Sequence, residues 1–113
     1  MVKRDDVVYK SLKKYINLLR KNFDISAVAL FGSYANGKPN EYSDIDIAVY
    51  SDNFGANPIE ETTQLLKMRR KINTDIEPIP FNSSKLRIKD KTDFSYEILK
   101  KGKLIFNNGK FLI

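Results

Sequence analysis

Gly32-Ser33-Tyr34-Ala35-Asn36-Gly37 and, after a polar loop, Ser43-Asp44-Ile45-Asp46-Ile47-Ala48-Val49 are the two stretches around which the chain can be ordered. The first follows Ile25-Ser26-Ala27-Val28-Ala29-Leu30-Phe31, a short apolar run bounded by Asp24 and Gly32, which reads as a strand. A glycine at the end of a strand lets backbone N–H groups point outward, and Ser33 adds a hydroxyl. Together they can cradle a phosphate, although Gly-Ser after a strand is most often a simple turn. The second stretch alternates over residues 44–50, with Asp44, Asp46 and Ala48 opposite Ile45, Ile47 and Val49. That is a strand placing two carboxylates on one face, about 7 Å apart along the chain. Carboxylates so placed repel unless water or a cation separates them. Oxygen ligands of this kind suit Mg²⁺ or Mn²⁺ rather than zinc. Asp-x-Asp alone is also common on solvated strand faces, so the pair needs support from elsewhere in the chain.

Working outward, Val8, Leu12, Tyr15, Ile16 and Leu19 recur at helical spacing and predict a helix over 6–22. Residues 32–43 are rich in Gly, Asn, Ser and Pro and read as loop with room for one helical turn. After a turn cluster over 51–57, Pro58 opens a second helix with a seam of Ile59, Thr63, Leu66 and Arg70, flanked by Thr62, Leu65 and Met68. Residues 73–79 alternate again as a strand, which Pro78 and Pro80 must end or confine to a sheet edge. A polar connection over 81–91 leads to a short helix over 93–101, closed by Gly102 at a C′ position. Asn107-Asn108-Gly109 between 103–106 and 110–113 signals a hairpin. This order predicts one α/β domain over 1–113, a small mixed sheet flanked by helices.

Composition restricts the chemistry. The 113 residues include no cysteine and no histidine. Disulfides, thiolate metal sites, imidazole bases and Ser-His-Asp triads are therefore excluded. Acid–base and metal chemistry falls to carboxylates, lysines, tyrosines and hydroxyls. No apolar run reaches the ~20 residues of a membrane span, and the first residues carry no apolar signal core. A cytoplasmic location without membrane contact is expected. The balance of 20 Lys+Arg against 14 Asp+Glu gives a net charge of +6. The basic residues are spread out apart from Arg69-Arg70-Lys71, so they form no stripe for direct nucleic-acid binding.

A second acidic face, at Asp75 and Glu77, supports the first. Two strands each bringing carboxylates to one sheet are harder to explain as solvated faces. A third carboxylate facing Asp44 and Asp46 is the natural general base for an attacking hydroxyl in a chain without histidine. The structural alternative is that Glu77 only pairs with a lysine on the surface. A phosphate cradle, a two-carboxylate clamp and a third carboxylate describe metal-dependent phosphoryl transfer at the α-phosphorus of a triphosphate.

The two stretches resemble the signature of the DNA polymerase beta nucleotidyltransferase superfamily: Gly-Ser, a later Gly, a polar loop, then Ser-Asp-x-Asp-x-x-Val. The order of helices and strands also fits, over nearly the whole chain. The length resembles the small subfamily of minimal nucleotidyltransferases (MNT), whose members are encoded beside an all-helical RNase toxin of the higher eukaryote and prokaryote nucleotide-binding (HEPN) type. The resemblance implies an antitoxin that transfers AMP from ATP to a tyrosine hydroxyl of its partner. It implies triphosphate binding by Gly32 and Ser33 and Mg²⁺ binding by Asp44 and Asp46. The third carboxylate, a metal or proton ligand, would be Glu77 in the sequence Ile76-Glu77-Pro78, or Asp75. Both are kept, with Glu77 preferred. Tyr34 stands where relatives often carry arginine, so no cationic clamp is expected there. Two other readings remain open: a nucleotide-binding antitoxin that neutralises by binding alone, and transfer to a small hydroxylated molecule.

Overall fold

The computed structural model describes residues 4–35 and 44–113. Asn36, Gly37 and Ser43 of the signature, and most of the loop expected over 32–43, lie outside the described residues. Helix α1 spans Arg4–Arg20, and Val8, Leu12, Tyr15, Ile16 and Leu19 are all buried. Strand β1 is Ile25–Phe31, followed by a single 3₁₀ turn, Gly32–Tyr34. Strand β2 is Ile45–Ser51, and helix α2 is Pro58–Met68 with a 3₁₀ extension through Lys71. Strand β3 is Ile76–Asn82, helix α3 Phe94–Lys101, and strands β4 and β5 are Lys103–Asn107 and Lys110–Phe111. Asn108 and Gly109 both take positive φ, 50° and 86°, the backbone that a two-residue hairpin turn requires.

The five strands form one mixed sheet in the order β3-β2-β1-β4-β5. Only β2 and β3 run parallel. Side chains alternate between two cores. Ile45, Ile47 and Val49 of β2 and Val28 and Leu30 of β1 pack on the α1 and α2 side with Leu12, Ile16, Leu19 and Leu65. The Tyr15 hydroxyl donates to the Leu65 carbonyl at 2.6 Å, joining the two helices. Ala27, Ala29, Ala48 and Tyr50 form the other face, against Ile98 of α3. Three alanines there let a short helix lie close to the sheet. The one proton of the Ser95 hydroxyl goes to the Lys85 carbonyl at 3.0 Å, so the Tyr50 hydroxyl donates to Ser95 Oγ at 2.8 Å and fastens α3 to β2.

The structure departs from the sequence expectation at four places. Strand β3 begins at Ile76, not at residue 73. The 3₁₀ turn and the Asn73 side chain, which accepts from the Asp75 N–H at 2.9 Å, hold the preceding residues in a turn. The strand ends at Asn82 rather than at residue 79, and runs past both prolines because β3 is a sheet edge, the second of the two outcomes the prolines allow. The Asp75 carbonyl accepts from Ile45 N–H at 2.8 Å, so backbone groups of odd-numbered residues face β2. Those of Pro78 and Pro80 face outward, where no donor is needed. Phe81, expected in the polar connection, stacks on Tyr50 with centroids 5.4 Å apart.

The seam of α2 is also different. Ile59 is exposed, whereas Glu61 and Leu65 are buried. The Glu61 carboxylate accepts from the N–H groups of Gly55 and Asn57 at 3.0–3.1 Å. A charged residue thus points inward as a cap, and hydrophobicity alone misplaces the face. Finally, Gly102 is not needed for positive φ; its backbone is extended at φ −88°. A Cβ there would lie 2.5 Å from the Ile98 carbonyl oxygen and 2.6 Å from that of Leu30. Gly102→Ala should destabilise the fold by about 1–3 kcal/mol, as overpacking does. Denaturant titration checks this; an unchanged midpoint would mean that α3 can move away from β1 freely.

Candidate active site

Strand β1 delivers the chain to Gly32, whose φ of +71° turns it out of the sheet. That backbone is open to glycine and strained for other residues. A Cβ on Gly32 would also run into Asp46 Oδ2. Glycine is therefore needed twice, for the turn and for its closure onto the aspartate. Ser33 follows in the same turn and is half-buried. Tyr34 packs toward the α1 and α2 core, an anchoring role rather than a clamp.

The sheet register aligns the other groups. Phe31 lies opposite Asp46, and Asp46 lies opposite Glu77. These three residues make a row across β1, β2 and β3 on the α3 face, the face of Ala48 and Tyr50. Asp44 precedes β2 and is exposed. Burial raises the Asp46 carboxyl above its ordinary pKa, and the charges of Asp44 and then Glu77 raise it further. Asp75 is exposed in the turn before β3, where its backbone engages β2 and Asn73. The register thus brings Glu77 rather than Asp75 beside Asp46.

Arg69, read from the sequence only as part of a basic run, is also part of the arrangement. Its Nη1 donates to the Ile76 carbonyl at 2.6 Å and to Glu77 Oε1 at 2.9 Å. Glu77 therefore has a cationic partner, as its structural alternative anticipated, though an arginine. Among the described residues, no group of three or more acidic side chains stands close enough to hold a metal ion. The donor set still fits Mg²⁺, which takes one or two carboxylates and completes its octahedron with water and substrate phosphates. Asp44 and Asp46 are the two carboxylates that could serve.

A carboxyl whose pKa is higher in the fold than in the unfolded chain stabilises most when protonated. Its contribution is full below the unfolded value and is lost as pH rises through the folded value. Without Mg²⁺ at neutral pH, Asp46→Asn should therefore raise the melting temperature, and the gain should vanish below about pH 4. Thermal melts across that range check the sign. A less stable asparagine variant at neutral pH would mean that the Asp46 anion makes a net stabilising contact.

Beside the row lies a cleft of about 490 Å³ between the Gly32 turn and α3, lined by Phe31, Gly32, Ala35, Phe94, Glu97 and Lys101 among others. The sequence reading did not single out α3 as part of a site. Its only signal was Phe94, an aromatic at the start of a polar helix.

A glycine turn closed onto a strand-borne aspartate, on a mixed sheet with helices on both faces, places the molecule among the nucleotidyltransferases of α/β architecture. Residues 13–110 match the family model "Polymerase beta, Nucleotidyltransferase", and the chain belongs to that family. Relatives of the chain include four proteins from Methanocaldococcus jannaschii. Over 61 residues the chain is 38% identical to Putative protein adenylyltransferase MJ1379, covering 54% of this chain and 61% of that protein. Over 100 residues it is 31% identical to Putative protein adenylyltransferase MJ0604, covering 86% of this chain and 96% of that protein. A crystal structure of a nucleotidyltransferase assigned as putative from Sulfolobus solfataricus shares the fold, with a TM-score of 0.65 at 20% identity, over 100% of this chain and 99% of that one. A crystal structure of a toxin–antitoxin with AMP-PNP is similar at TM-score 0.58 and 28% identity, over 85% of this chain and 73% of that one. No helix among the described residues is long and apolar enough to cross a membrane.

Proposed function

We propose that this chain is a Mg²⁺-dependent minimal nucleotidyltransferase acting as a single cytoplasmic domain over residues 1–113. In this reading it is the antitoxin of a HEPN-type helical RNase toxin and transfers AMP from ATP to a tyrosine hydroxyl of that partner. The observation that carries the reading is the closure of the Gly32 turn onto Asp46. It would place a triphosphate held by Gly32 and Ser33 directly over the carboxylates. The likeness to a toxin–antitoxin with AMP-PNP and to the M. jannaschii proteins supports the nucleotide and the protein acceptor.

Asp44 and Asp46 would hold Mg²⁺, which supplies neutralisation of the triphosphate and of the charge that builds on the α-phosphoryl group. The tyrosine oxygen attacks the α-phosphorus, an O–P bond forms, and the bond to the β-phosphate bridging oxygen breaks to release pyrophosphate. Glu77 would take the phenolic proton, and Arg69 fixes where its carboxylate stands. Asp75 is the other candidate, further from the row. The net charge of +6 favours an acidic surface on the partner and faster association at low salt.

The test is to incubate the chain with ATP, Mg²⁺ and the protein encoded beside it, then weigh the products intact. A gain of one or more AMP units on the partner, lost in the Asp44/Asp46 variant, is expected. Neutralisation without any mass gain would favour an antitoxin that works by binding alone. The Arg69–Glu77 pair at 2.9 Å favours that second reading, because Glu77 Oε1 already accepts from a guanidinium rather than standing free for an incoming hydroxyl.

A further inference from the structure

We infer that the cleft between the Gly32 turn and α3 is a nucleobase subsite, shaped for a purine that carries an amino group at position 6, as adenine does and guanine does not. The inference rests on the nucleotide-binding reading above and extends it to an element outside the signature. Continuity of the two sites is the first argument. Gly32 lines the cleft and also closes onto Asp46. Phe31 lines the cleft and lies directly opposite Asp46 in the ladder, on the same sheet face. A nucleotide whose phosphates rest on the Gly32 turn has this cleft next to it. A volume of about 490 Å³ lies within the range of small-molecule sites.

The walls supply the second argument. Phe31 and Phe94 meet edge-to-face, with centroids 5.8 Å apart and planes at 88°. Phe94 nevertheless remains 51% exposed and lines the cleft. A flat ring can stack on that face and remove it from water, an interaction available to every base. Selectivity must come from the polar rim. Glu97 and Lys101, one turn apart on α3, pair at 2.9 Å and both line the cleft. The Glu97 carboxylate only accepts hydrogen bonds. It suits the amino group of adenine, whereas guanine in the same pose presents a carbonyl oxygen and leaves two acceptors facing each other.

Calorimetric titration of ATP, GTP and inorganic tripolyphosphate, each with Mg²⁺, tests the assignment. The proteins are the wild type, Phe94→Ala and Glu97→Gln, with folding checked by thermal melts. Phe94→Ala should weaken ATP binding about tenfold, the scale of one lost stacking partner, and leave tripolyphosphate unchanged. Glu97→Gln offers both a donor and an acceptor, so it should bring ATP and GTP toward equal affinity. If tripolyphosphate binds and Phe94→Ala leaves ATP affinity unaltered, the base lies elsewhere and only the subsite falls. Equal losses of ATP and tripolyphosphate would make α3 a support for the turn, which also overturns the subsite. An unchanged ATP-to-GTP ratio in Glu97→Gln removes the amino-group recognition. A wild type that binds neither ATP nor tripolyphosphate overturns the nucleotide reading itself.

Discussion

Exchanging Asp44 and Asp46 together for asparagine is expected to abolish Mg²⁺-dependent ATP binding while the fold persists. Asparagine keeps the shape of the side chain and an oxygen, but removes the charge that holds a divalent cation. Interactions to a charged group are worth roughly 1.5–3 kcal/mol each. Losing two should raise the apparent Kd of ATP–Mg²⁺ by at least about a hundredfold. The fold should survive because Asp44 is exposed and Asp46 is only half-buried, outside both apolar clusters. The change also removes the repulsion that raises Asp46. Calorimetry with ATP and Mg²⁺, beside a thermal melt, reads both halves. Unaltered affinity in a folded double variant would take the metal away from these residues.

Gly32→Val should be nearly as damaging to nucleotide binding, and should harm the fold as well. The left-handed backbone at φ +71° resists any side chain by about 1–2 kcal/mol, and a β-branched one by more. The new Cβ would run into Asp46 Oδ2, so either the turn or the aspartate must move. Ser33→Ala is the matched control: it removes one hydroxyl and should weaken ATP binding by about 1 kcal/mol or slightly more. Urea midpoints separate the stability loss from the binding loss. Equal and negligible binding effects from both substitutions would reduce Gly32-Ser33 to an ordinary turn.

Much of the architecture was legible because it is written in local patterns. The β1 run between Asp24 and Gly32, the alternation of β2 and the five apolar positions of α1 each need only their own segment to be read. Asn108-Gly109 announces its hairpin because few residues accept positive φ. The misread places depend on contacts from elsewhere. Glu61 is drawn inward by N–H groups of Gly55 and Asn57, so its charge misleads a seam drawn by hydrophobicity. The start of β3 is set by an Asn73 side chain and a 3₁₀ turn, whereas its edge position is one of the two outcomes the prolines themselves allowed.

For the site, the sequence by itself determined which groups are available: a glycine where the chain must turn, two aspartates in one alternating segment, and two further carboxylates, Asp75 and Glu77, in a later one. Spacing alone could not choose between Asp75 and Glu77, since side chains two apart in a strand share a face. The tertiary structure decided which one stands beside Asp46, because parallel pairing of β2 with β3 sets a register between segments that chain periodicity never compares. It also brought in Arg69 and the α3 cleft, which reach the row only when helices fold back over a sheet edge and face. Local sequence encodes torsion and side-chain direction. Which carboxylate meets which cation depends on how separate segments are held together by packing, and that is a property of the assembled cores.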